Sequence, residues 1–591
     1  MKVFFHHQPS PAIRHWQSLA KCVGIACENA EVGSVGLLGS VMREVTAQKK
    51  AAVALDIGSL KNCCNQEQLA ELADYLAKFE VAVLLLASAL DEPANLVLQA
   101  LTHGAIRGIK SASRASRVTF PKDSAAFSEE LTSHSFAREP EENLSLDIAP
   151  AAKAEMIMLL DQAPAFVRVQ VGKASIFVWA TNEIFDMLRP LAAEKEFELA
   201  ADKYVPSIIF LRFAFGDQCW RNPSPGAGIV IDDPLLRKNY GFINFPKLLE
   251  SARRHRYHVT LAFIPWNHWR SRVAKARMFL DHADCFSVCA HGCDHTNKEF
   301  GSTNYDDLLS RNFVARQRME QHHERTGLAC EPLMVCPQEQ YSLEAMRAFA
   351  DSRQFIGVVC TACMPRNLTA PAICGADLLL PAQDSFCGFP VFKRHYWSDI
   401  SVFAMALFLG KPAILVEHHE FFRAGPGGAE AFVSGLSQVH PRIQWTSLAE
   451  TVKRTHLRRR LSDGRHEVRF FTDDFKFEHQ AETPANYRLV RRIPETTHVR
   501  RVMINGTPTL FNREKDLFAA EIRADRPQTF QVQVEVAPIK PAKERLAGIR
   551  YQASVAVRRG LSEFRDNVIA RNDFVLRAAK LLAKKMKQTS I

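Results

Sequence analysis

Two histidines stand four positions apart in the stretch "AHGCDH", directly after the apolar run "CFSVCA" (285–290). If His295 starts a helical turn, this spacing brings its imidazole and that of His291 to the same side of the chain. Two imidazoles and one carboxylate can hold a metal ion and leave a position open for water, as hydrolytic zinc sites do. Because the chain has 21 histidines, such a pair can also arise by chance. The prediction of a metal site therefore depends on the residues around the pair.

Acidic and basic side chains also follow other apolar runs of the same region. Asp232 and Asp233 follow "GIVI" (228–231), Pro337-Gln338 follow "LMVC" (333–336), and "PAILVE" (412–417) ends in Glu417 before two more histidines. If these runs are parallel strands of one barrel, their carboxyl ends meet at one rim. Two adjacent carboxylates can then divide the work, one binding the metal and the other taking a proton from water. The alternative is a buried, hydrogen-bonded polar cluster, or aspartates that cap a helix or a turn.

Between residues 228 and 459, short apolar runs alternate regularly with helix-like segments. Seven or eight such runs occur, among them "YHVTLAFI" (257–264), "FIGVVC" (355–360), "ADLLL" (376–380) and "RIQW" (442–445). Strands separated by helices in this number predict a parallel β/α barrel of the (β/α)7 type. The fold class predicted for the chain is a multidomain α/β protein with this barrel at its centre.

The segments on either side of the barrel have different patterns of apolar and polar residues. Residues 1–205 alternate strand-like and helix-like pieces, which predicts an N-terminal α/β domain of Rossmann-like type, although no glycine-rich nucleotide-binding loop follows its strands. The barrel itself is assigned to 206–459. Alternating β-branched and aromatic runs with an Asn505-Gly506 turn predict a β-sandwich over 460–545. The remaining residues, 546–591, are predicted to form a basic, amphipathic helical segment.

Composition and charge limit the classes of partner. The chain of 591 residues has a net charge of +11, and residues 451–591 hold 30 Lys and Arg against 16 Asp and Glu. This basic C-terminal quarter predicts contact with an anionic glycan or a membrane surface, with a solvated basic face as the alternative; nucleic acid is not expected. Neither a secretion signal nor an apolar run of membrane-spanning length is recognised, so a cytoplasmic protein is expected, at most peripheral to a membrane. The 14 cysteines are expected to be buried thiols.

The order of the motifs resembles that of the polysaccharide deacetylase superfamily, also called the NodB-homology or carbohydrate esterase family 4 domain. An Asp-Asp pair follows the first strand, H-x-x-x-H follows the third, a proline-containing strand end comes next, and a histidine follows a late apolar strand. The resemblance covers about 230 of the 591 residues. The stretches "IDDPLLRKNYGF", "LAFIPWNHWRS", "AHGCDHTNKEF" and "EHHEFF" look like those of a divergent branch of this superfamily.

Carried over residue by residue, the resemblance implies a role for each motif. It implies that the metal ligands are Asp233, His291 and His295. It implies that Asp232 is the general base. The late histidine would be the general acid, and the family's alternation of apolar residues before it fits His418 better, with His419 as the alternative.

Two positions depart from the family pattern. Pro234 follows the aspartate pair where the family usually has glycine, and the third motif reads "MVCPQEQ", without the arginine that orients the base. Three arginines elsewhere are candidates to supply that charge: Arg237, Arg270 and Arg394.

The resemblance implies a metal-dependent hydrolase that deacetylates an N-acetyl, or an O-acetyl, sugar of a polysaccharide or its precursor. Zinc is the expected metal, with cobalt, manganese or iron as alternatives, and an acetylated saccharide is the expected substrate. The alternative function is a carbohydrate-binding or scaffold protein that keeps the deacetylase barrel with weak activity or none.

Overall fold

The structure is a computed structural model that describes residues 2–5, 11–31, 51–88, 90–237, 239–365, 373–542 and 548–571. The chain divides into two compact units. The first consists of Met1–Arg221, Ala372–Leu380 and Leu457–Glu467, and the second of Asn222–Pro371, Pro381–His456 and Val468–Ile591. None of the described helices combines the length and the apolar composition that a membrane-spanning segment needs.

The first unit is built on a nine-stranded mixed sheet. Its strands are β1 (Lys2–Phe5), β2 (Glu28–Glu31), β3 (Ala51–Asp56), β4 (Val81–Ala87), β5 (Ile106–Thr119), β6 (Ser135–Ile148), β7 (Ala154–Leu160), β8 (Ala163–Val171) and β9 (Ala174–Ala180). They are ordered β2-β1-β3-β4-β9-β8-β7-β5-β6, and the pairs from β2 to β9 are parallel. Every residue of β4, "VAVLLLA", is buried, because a parallel strand in the middle of a sheet is covered on both faces.

The helices of the first unit pack against this sheet or against one another. They are Pro11–Cys22, Ile57–Cys63, Gln66–Leu76, Glu92–Leu101, Ala125–Ser128, Glu194–Glu198, Val205–Phe215 and Gly375–Leu379. In the helix Gln66–Leu76, for example, Leu69, Leu72, Ala73 and Leu76 are buried, which is the i, i+3, i+4, i+7 spacing of one helix face. An Asn65 capping box starts this helix.

The second unit contains the parallel barrel. Its strands are β10 (Gly226–Asp232), β13 (Val259–Phe263), β14 (Phe286–His291), β15 (Glu331–Val335), β16 (Gly357–Cys360), β17 (Val391–Lys393) and β18 (Ala413–Glu417), with β19 (Gln444–Trp445) beside β10. A short hairpin, β11 (Asn239–Tyr240) and β12 (Ile243–Asn244), follows β10. The barrel strands are ordered β17-β16-β15-β14-β13-β10-β18. The main chain of His395, just after β17, bonds to Ile414 and Val416 of β18 and nearly closes the barrel.

The strand register brings the strand ends level. Asp232 lies beside Ala262 of β13, His291 lies beside Val335 of β15, and Glu417 lies beside Ile231 of β10. The residues that follow β10, β14 and β18 therefore meet at one rim. The predicted fold class, an α/β protein with a seven-stranded barrel and additional sheets, is confirmed.

One predicted barrel strand is wrong. The run "ADLLL" forms the helix Gly375–Leu379, which belongs to the first unit, and the Asp377 carboxylate accepts a hydrogen bond of 3.0 Å from the main-chain nitrogen of Cys374 at its start. Periodicity does not distinguish a short apolar run in a strand from one in a helix. The strand that takes its place in the barrel is β17, "VFK", which is too short to show a pattern.

Helices alternate with the barrel strands, and four of the seven begin at a side-chain cap. They are Phe245–His255, Val273–Asp281, Tyr305–Thr326, Leu343–Ser352, Ser401–Phe408, Gly427–Val439 and Leu448–Arg454. The side chains of Asn244, Asn304, Ser342 and Ser447 each accept a main-chain hydrogen bond at the first turn of their helix. Asn and Ser are preferred at this position because they satisfy a main-chain donor that has no partner within the helix.

After the barrel the chain forms antiparallel strands and one more helix. The strands are β20 (His456–Arg460), β21 (His466–Phe470), β22 (Asp474–His479), β23 (Ala485–Arg492), β24 (Val499–Ile504), β25 (Thr507–Thr509), β26 (Phe511–Glu514), β27 (Leu517–Ala524) and β28 (Gln528–Val536). In the second unit, β21-β23-β27-β26 and β22-β28-β24-β25 are neighbours in two sheets with a common core of aromatic and branched residues. Asn505 and Gly506 both have positive φ, as the tight turn between β24 and β25 requires.

The C-terminal helix spans Ile549–Phe564 and is followed by a π-helical turn, Arg565–Ile569. Both belong to the second unit. The most basic part of the predicted C-terminal segment, residues 572–591, lies outside the described residues.

Candidate metal centre and its pocket

The carboxylate of Asp233 and the imidazoles of His291 and His295 come together at the rim of the barrel. Oδ1 of Asp233 lies 3.3 Å from Nε2 of His295 and 3.8 Å from Nε2 of His291. The three potential ligand atoms lie within 4.8 Å of one another. One Asp and two His with this spacing are the donor set that divalent zinc accepts.

The donor atoms of this cluster fit a metal ion. Nδ1 of His291 lies 3.1 Å from the carbonyl oxygen of Val335, so this nitrogen carries the hydrogen and Nε2 is left with its lone pair toward Asp233. Burial lowers the pKa of His291 to about 4, which keeps the ring neutral and able to bind a cation. Oδ1 of Asp233 is buried and forms no hydrogen bond with any described residue. Buried polar atoms are rarely left unpaired, so this oxygen indicates a missing partner.

Two of the three candidate ligands are held in a costly backbone conformation. Asp233 has a φ of 78° and His295 a φ of 55°, values in the left-handed region that residues with a side chain seldom adopt. Such strain persists only where surrounding contacts impose it, and it is concentrated at functional sites.

Asp232 forms a different contact from its neighbour Asp233. Its two carboxylate oxygens accept hydrogen bonds of 2.7 and 2.8 Å from the two terminal nitrogens of Arg394, and both side chains are almost fully buried. Burial alone would raise the pKa of Asp232, but the charge of Arg394 and its hydrogen bonds outweigh burial and hold this pKa well below its usual range. Asp232 is therefore ionised at neutral pH.

Of the three arginines considered from the sequence, Arg394 is the one that contacts the aspartate pair. It follows β17, and its main-chain nitrogen bonds to the carbonyl of Cys360 on β16. Arg270 instead donates a hydrogen bond of 2.9 Å to Glu563 of the C-terminal helix, and Arg237 lies 4.0 Å from the same carboxylate.

The loop between the two histidines is organised by a buried carboxylate that was not singled out from the sequence. Glu299 accepts hydrogen bonds from the main-chain nitrogens of Cys293, Asp294 and His295, at 3.1, 2.7 and 3.0 Å. The two histidines do come together, as their spacing predicted. They are held by this loop, however, and not by the helical turn that was considered from the sequence. Gly292 is required there, because a Cβ at this residue would come within 2.4 Å of the Glu299 carboxylate.

We expect Glu299→Gln to weaken metal binding by about 10–100-fold, which is the usual effect of losing a residue that orients a ligand. Glutamine has one acceptor oxygen in place of two, so part of the loop loses its hydrogen bonds and His295 loses its fixed position. Zinc affinity measured against a competing chelator would test this. Glu324→Gln, at an exposed glutamate of the helix Tyr305–Thr326, is the matched control; equal affinity in both variants would contradict the role assigned to Glu299.

The two late histidines point in different directions, because consecutive residues of an extended chain do so. His418 lines the same pocket as the aspartate pair. Its ring stacks on that of Tyr396, with an angle of 12° between the ring planes and 6.0 Å between the ring centroids. His419 is buried, and its Nε2 lies 3.4 Å from Asp566 of the π-helical turn. His419 is not among the residues that line the pocket.

The pocket above the cluster has a volume of about 300 Å³, and every residue that lines it has a polar side chain. Beyond the aspartates, His291, His295, Arg394 and His418, the lining consists of Gln338, Glu339, Tyr396, Arg558, Arg559, Ser562 and Arg565. Sequence reasoning had placed Gln338 at this rim but did not single out the other six. The basic charge of the C-terminal segment was visible, but its position over the pocket had no sequence signal.

Comparison with known proteins gives matches to solved structures only. No protein-family model and no curated protein matches the chain. Agd3, described as a novel carbohydrate deacetylase, matches with 11% identity over 91% of this chain and 99% of its own, at a TM-score of 0.45.

Two further structures each match a little over a third of the chain. A family 4 carbohydrate esterase from Streptomyces lividans in complex with acetate has 14% identity over 37% of this chain and 91% of its own, at a TM-score of 0.23. A family 4 acetyl xylan esterase from Clostridium thermocellum in complex with a cobalt ion has 11% identity over 38% and 89%, at a TM-score of 0.24. These proteins are described as carbohydrate deacetylases or esterases, the class that the sequence motifs resemble.

Proposed function

We propose that the second unit is a metal-dependent hydrolase that removes the acetyl group from an N-acetyl sugar, with an O-acetyl sugar as the second choice, of a polysaccharide or its precursor. One observation carries the proposal. An Asp-His-His cluster with an unpartnered carboxylate oxygen lies beside an ionised, arginine-bound carboxylate and a histidine in a single pocket. These are the groups that metal-assisted hydrolysis of an amide needs: a cation site, a proton acceptor and a proton donor.

Each group has one task. Asp233, His291 and His295 would hold the metal, with zinc expected first and cobalt, manganese or iron as alternatives. When bound, the metal polarises the acetyl carbonyl and lowers the pKa of water toward about 7. Asp232 takes a proton from the attacking water, and the Arg394 fork keeps its carboxylate oriented for that transfer. His418 then donates a proton to the sugar nitrogen as the bond to the acetyl carbon breaks.

The character of the pocket supports a sugar as the substrate. Drug-like and cofactor pockets are mostly apolar with a few polar groups, whereas here every lining side chain carries a hydrogen-bond donor or acceptor. A hydroxyl-rich ligand can satisfy such groups, and an apolar amide would leave them without partners at a cost in free energy.

The cellular setting follows from the sequence expectations. We propose a cytoplasmic protein that acts on the sugar during assembly of a surface polysaccharide, with contact between its basic C-terminal quarter and an anionic glycan or membrane surface. Fractionation of cells that express the protein, at low and at high salt, tests both points, since a charge-mediated surface contact is released by salt.

Metal analysis combined with acetate release from a panel of N-acetyl and O-acetyl sugars tests the proposed function. Bound zinc with acetate release that stops after chelation and returns with zinc is the expected result. Bound metal without any turnover would favour the carbohydrate-binding alternative. Protein purified without chelators that contains no metal and gains no activity from added metal would overturn the site.

The general acid can be identified by a matched pair of variants. We expect His418→Asn to lower kcat by about 10²–10⁴-fold, the usual contribution of general acid catalysis, with little change in stability. His419→Asn is expected to lower the melting temperature instead, because it removes a buried partner of Asp566. Acetate-release kinetics and thermal unfolding of both variants give the answer, and a larger loss of kcat in His419→Asn would reverse the assignment.

A further inference from the structure

The C-terminal helix and the turn after it are bonded to loops that follow four barrel strands. Tyr551 donates a hydrogen bond of 2.9 Å to Asp294, after β14, and Arg270, after β13, donates one of 2.9 Å to Glu563. Near the end of the helix, Tyr240, after β10, donates one of 2.8 Å to Asp566, which also lies 3.4 Å from His419, after β18. Contacts at both ends thus hold the helix beside the pocket.

One residue of this helix, Arg559, faces the candidate metal cluster. Only 5% of its surface is exposed, and its Nη1 lies 3.9 Å from Oδ1 of Asp233. Nη2 donates a hydrogen bond of 3.2 Å to Ser562, while Nε is buried and has no hydrogen-bond partner among the described residues. A guanidinium buried to this degree normally has a carboxylate bound directly to it.

Within the described part of the chain, the other carboxylates near Arg559 already have partners. Asp232 is bound to Arg394, and Asp566 accepts a hydrogen bond of 2.6 Å from Arg565. The remaining carboxylate of the lining, Glu339, hydrogen bonds to Tyr396.

Among the described residues, the carboxylate nearest to Arg559 is that of Asp233, which is a candidate metal ligand. A divalent cation at the cluster would take up the charge of Asp233, so that the pocket gains two positive charges while the guanidinium keeps its own. Arg558, half-buried in the same lining, adds to this excess. An anion that binds between the cluster and the helix compensates this excess positive charge of the metal-bound pocket.

We propose that Arg559 is a catalytic residue that takes the negative charge developing on the acetyl oxygen during hydrolysis, and that the same position binds the carboxylate of the acetate released. This inference rests on the proposed function and adds to it a group from a segment outside the barrel. Water attacks the acetyl carbon, the carbonyl electrons move to the oxygen beside Arg559, and they return to re-form the carbonyl as the sugar nitrogen leaves with a proton. A fixed guanidinium stabilises that oxygen most when the oxygen carries its full negative charge. The interaction therefore lowers the activation barrier for hydrolysis rather than tightening substrate binding.

The test compares Arg559→Gln with Arg550→Gln, an exposed arginine of the same helix. Arg559→Lys is a third variant that keeps the charge. For zinc-loaded protein, the dissociation constants of acetate and of its neutral analogue acetamide are measured by calorimetry. The zinc affinity of the metal-free protein and the kcat and KM of acetate release are measured for the same variants.

The expected result is specific to charge. In Arg559→Gln, acetate binds at least about tenfold more weakly while acetamide binding is unchanged, zinc affinity is equal or higher, and kcat falls about 10²–10³-fold with KM nearly constant. Arg559→Lys recovers part of the kcat and of the acetate affinity, and Arg550→Gln resembles the wild type. Unchanged acetate affinity in Arg559→Gln, or a loss of kcat that follows a loss of zinc, would overturn the inference.

Failure of the proposed function has a different signature. If the wild type releases acetate from no sugar, deacetylation is wrong, whereas the binding measurements still decide on Arg559. Zinc-dependent acetate binding that is lost in Arg559→Gln and kept in Arg559→Lys supports the anion position in that case too. Equal acetate binding in the wild type and in both variants refutes it.

Discussion

Asp232→Asn should lower acetate release by about 10²–10⁴-fold while the protein keeps its bound metal. The amide cannot accept a proton from water, but the three groups proposed as ligands are left intact. Metal content and kcat, measured on the same preparation, check both halves of this expectation. The matched control is Asp306→Asn, at the exposed first member of another adjacent aspartate pair, for which neither quantity should change.

Two outcomes would contradict this division of roles between the adjacent aspartates. If Asp232→Asn loses the metal, Asp232 is a ligand and the assignment of Asp233 must be revised. If it keeps both the metal and full activity, the base is another group of the pocket. The arginine contact makes the first outcome unexpected, because both oxygens of Asp232 are already bonded to Arg394.

Arg394→Met is expected to lower the free energy of unfolding of the second unit by about 3–5 kcal/mol, because it leaves the buried carboxylate of Asp232 without a partner. The double variant Arg394→Met with Asp232→Asn should recover part of this loss, since the uncompensated charge is then absent. Urea unfolding of the two single variants and the double variant measures the coupling between the two side chains.

A surface pair serves as the control for Arg394. Arg501 and Glu535 form an ion pair in which the side chains are 60% and 40% exposed. Arg501→Met should therefore lower the free energy of unfolding far less than Arg394→Met does, because solvent screens an exposed ion pair. If Arg394→Met is no more destabilising than Arg501→Met, the buried ion pair between Arg394 and Asp232 contributes no more to stability than an exposed ion pair.

Sequence alone was sufficient for the parts of the site that lie next to strong local patterns. The apolar runs before Asp232 and before His291 are long enough to be recognised as buried strands, and parallel strands of a barrel place their carboxyl ends on one rim. The meeting of Asp233, His291 and His295 could therefore be expected from strand order and motif spacing. The roles of these residues stay predictions until metal and activity are measured.

Sequence was insufficient where the local signal was short. "ADLLL" has the composition of a strand but forms a helix, while the true strand β17 has only three residues and leads into Arg394. The arginine that binds Asp232 was for this reason one of three candidates rather than an assignment. Similarly, nothing in the letters of "AHGCDHTNKEF" shows that Glu299 turns back to accept hydrogen bonds from the loop before it.

The sequence by itself determined which reactive side chains the site contains and which strands position most of them. It could do so because hydrophobic periodicity and motif spacing are local properties. Only the tertiary structure decided which partner each group has: Arg394 for Asp232, Asp566 for His419, and Arg559 for the pocket. Arg559 and Asp233 are separated by more than half the chain, and their contact depends on how a C-terminal helix packs against loops from four strands. Such packing is set by the sum of many long-range contacts, and no local pattern records it.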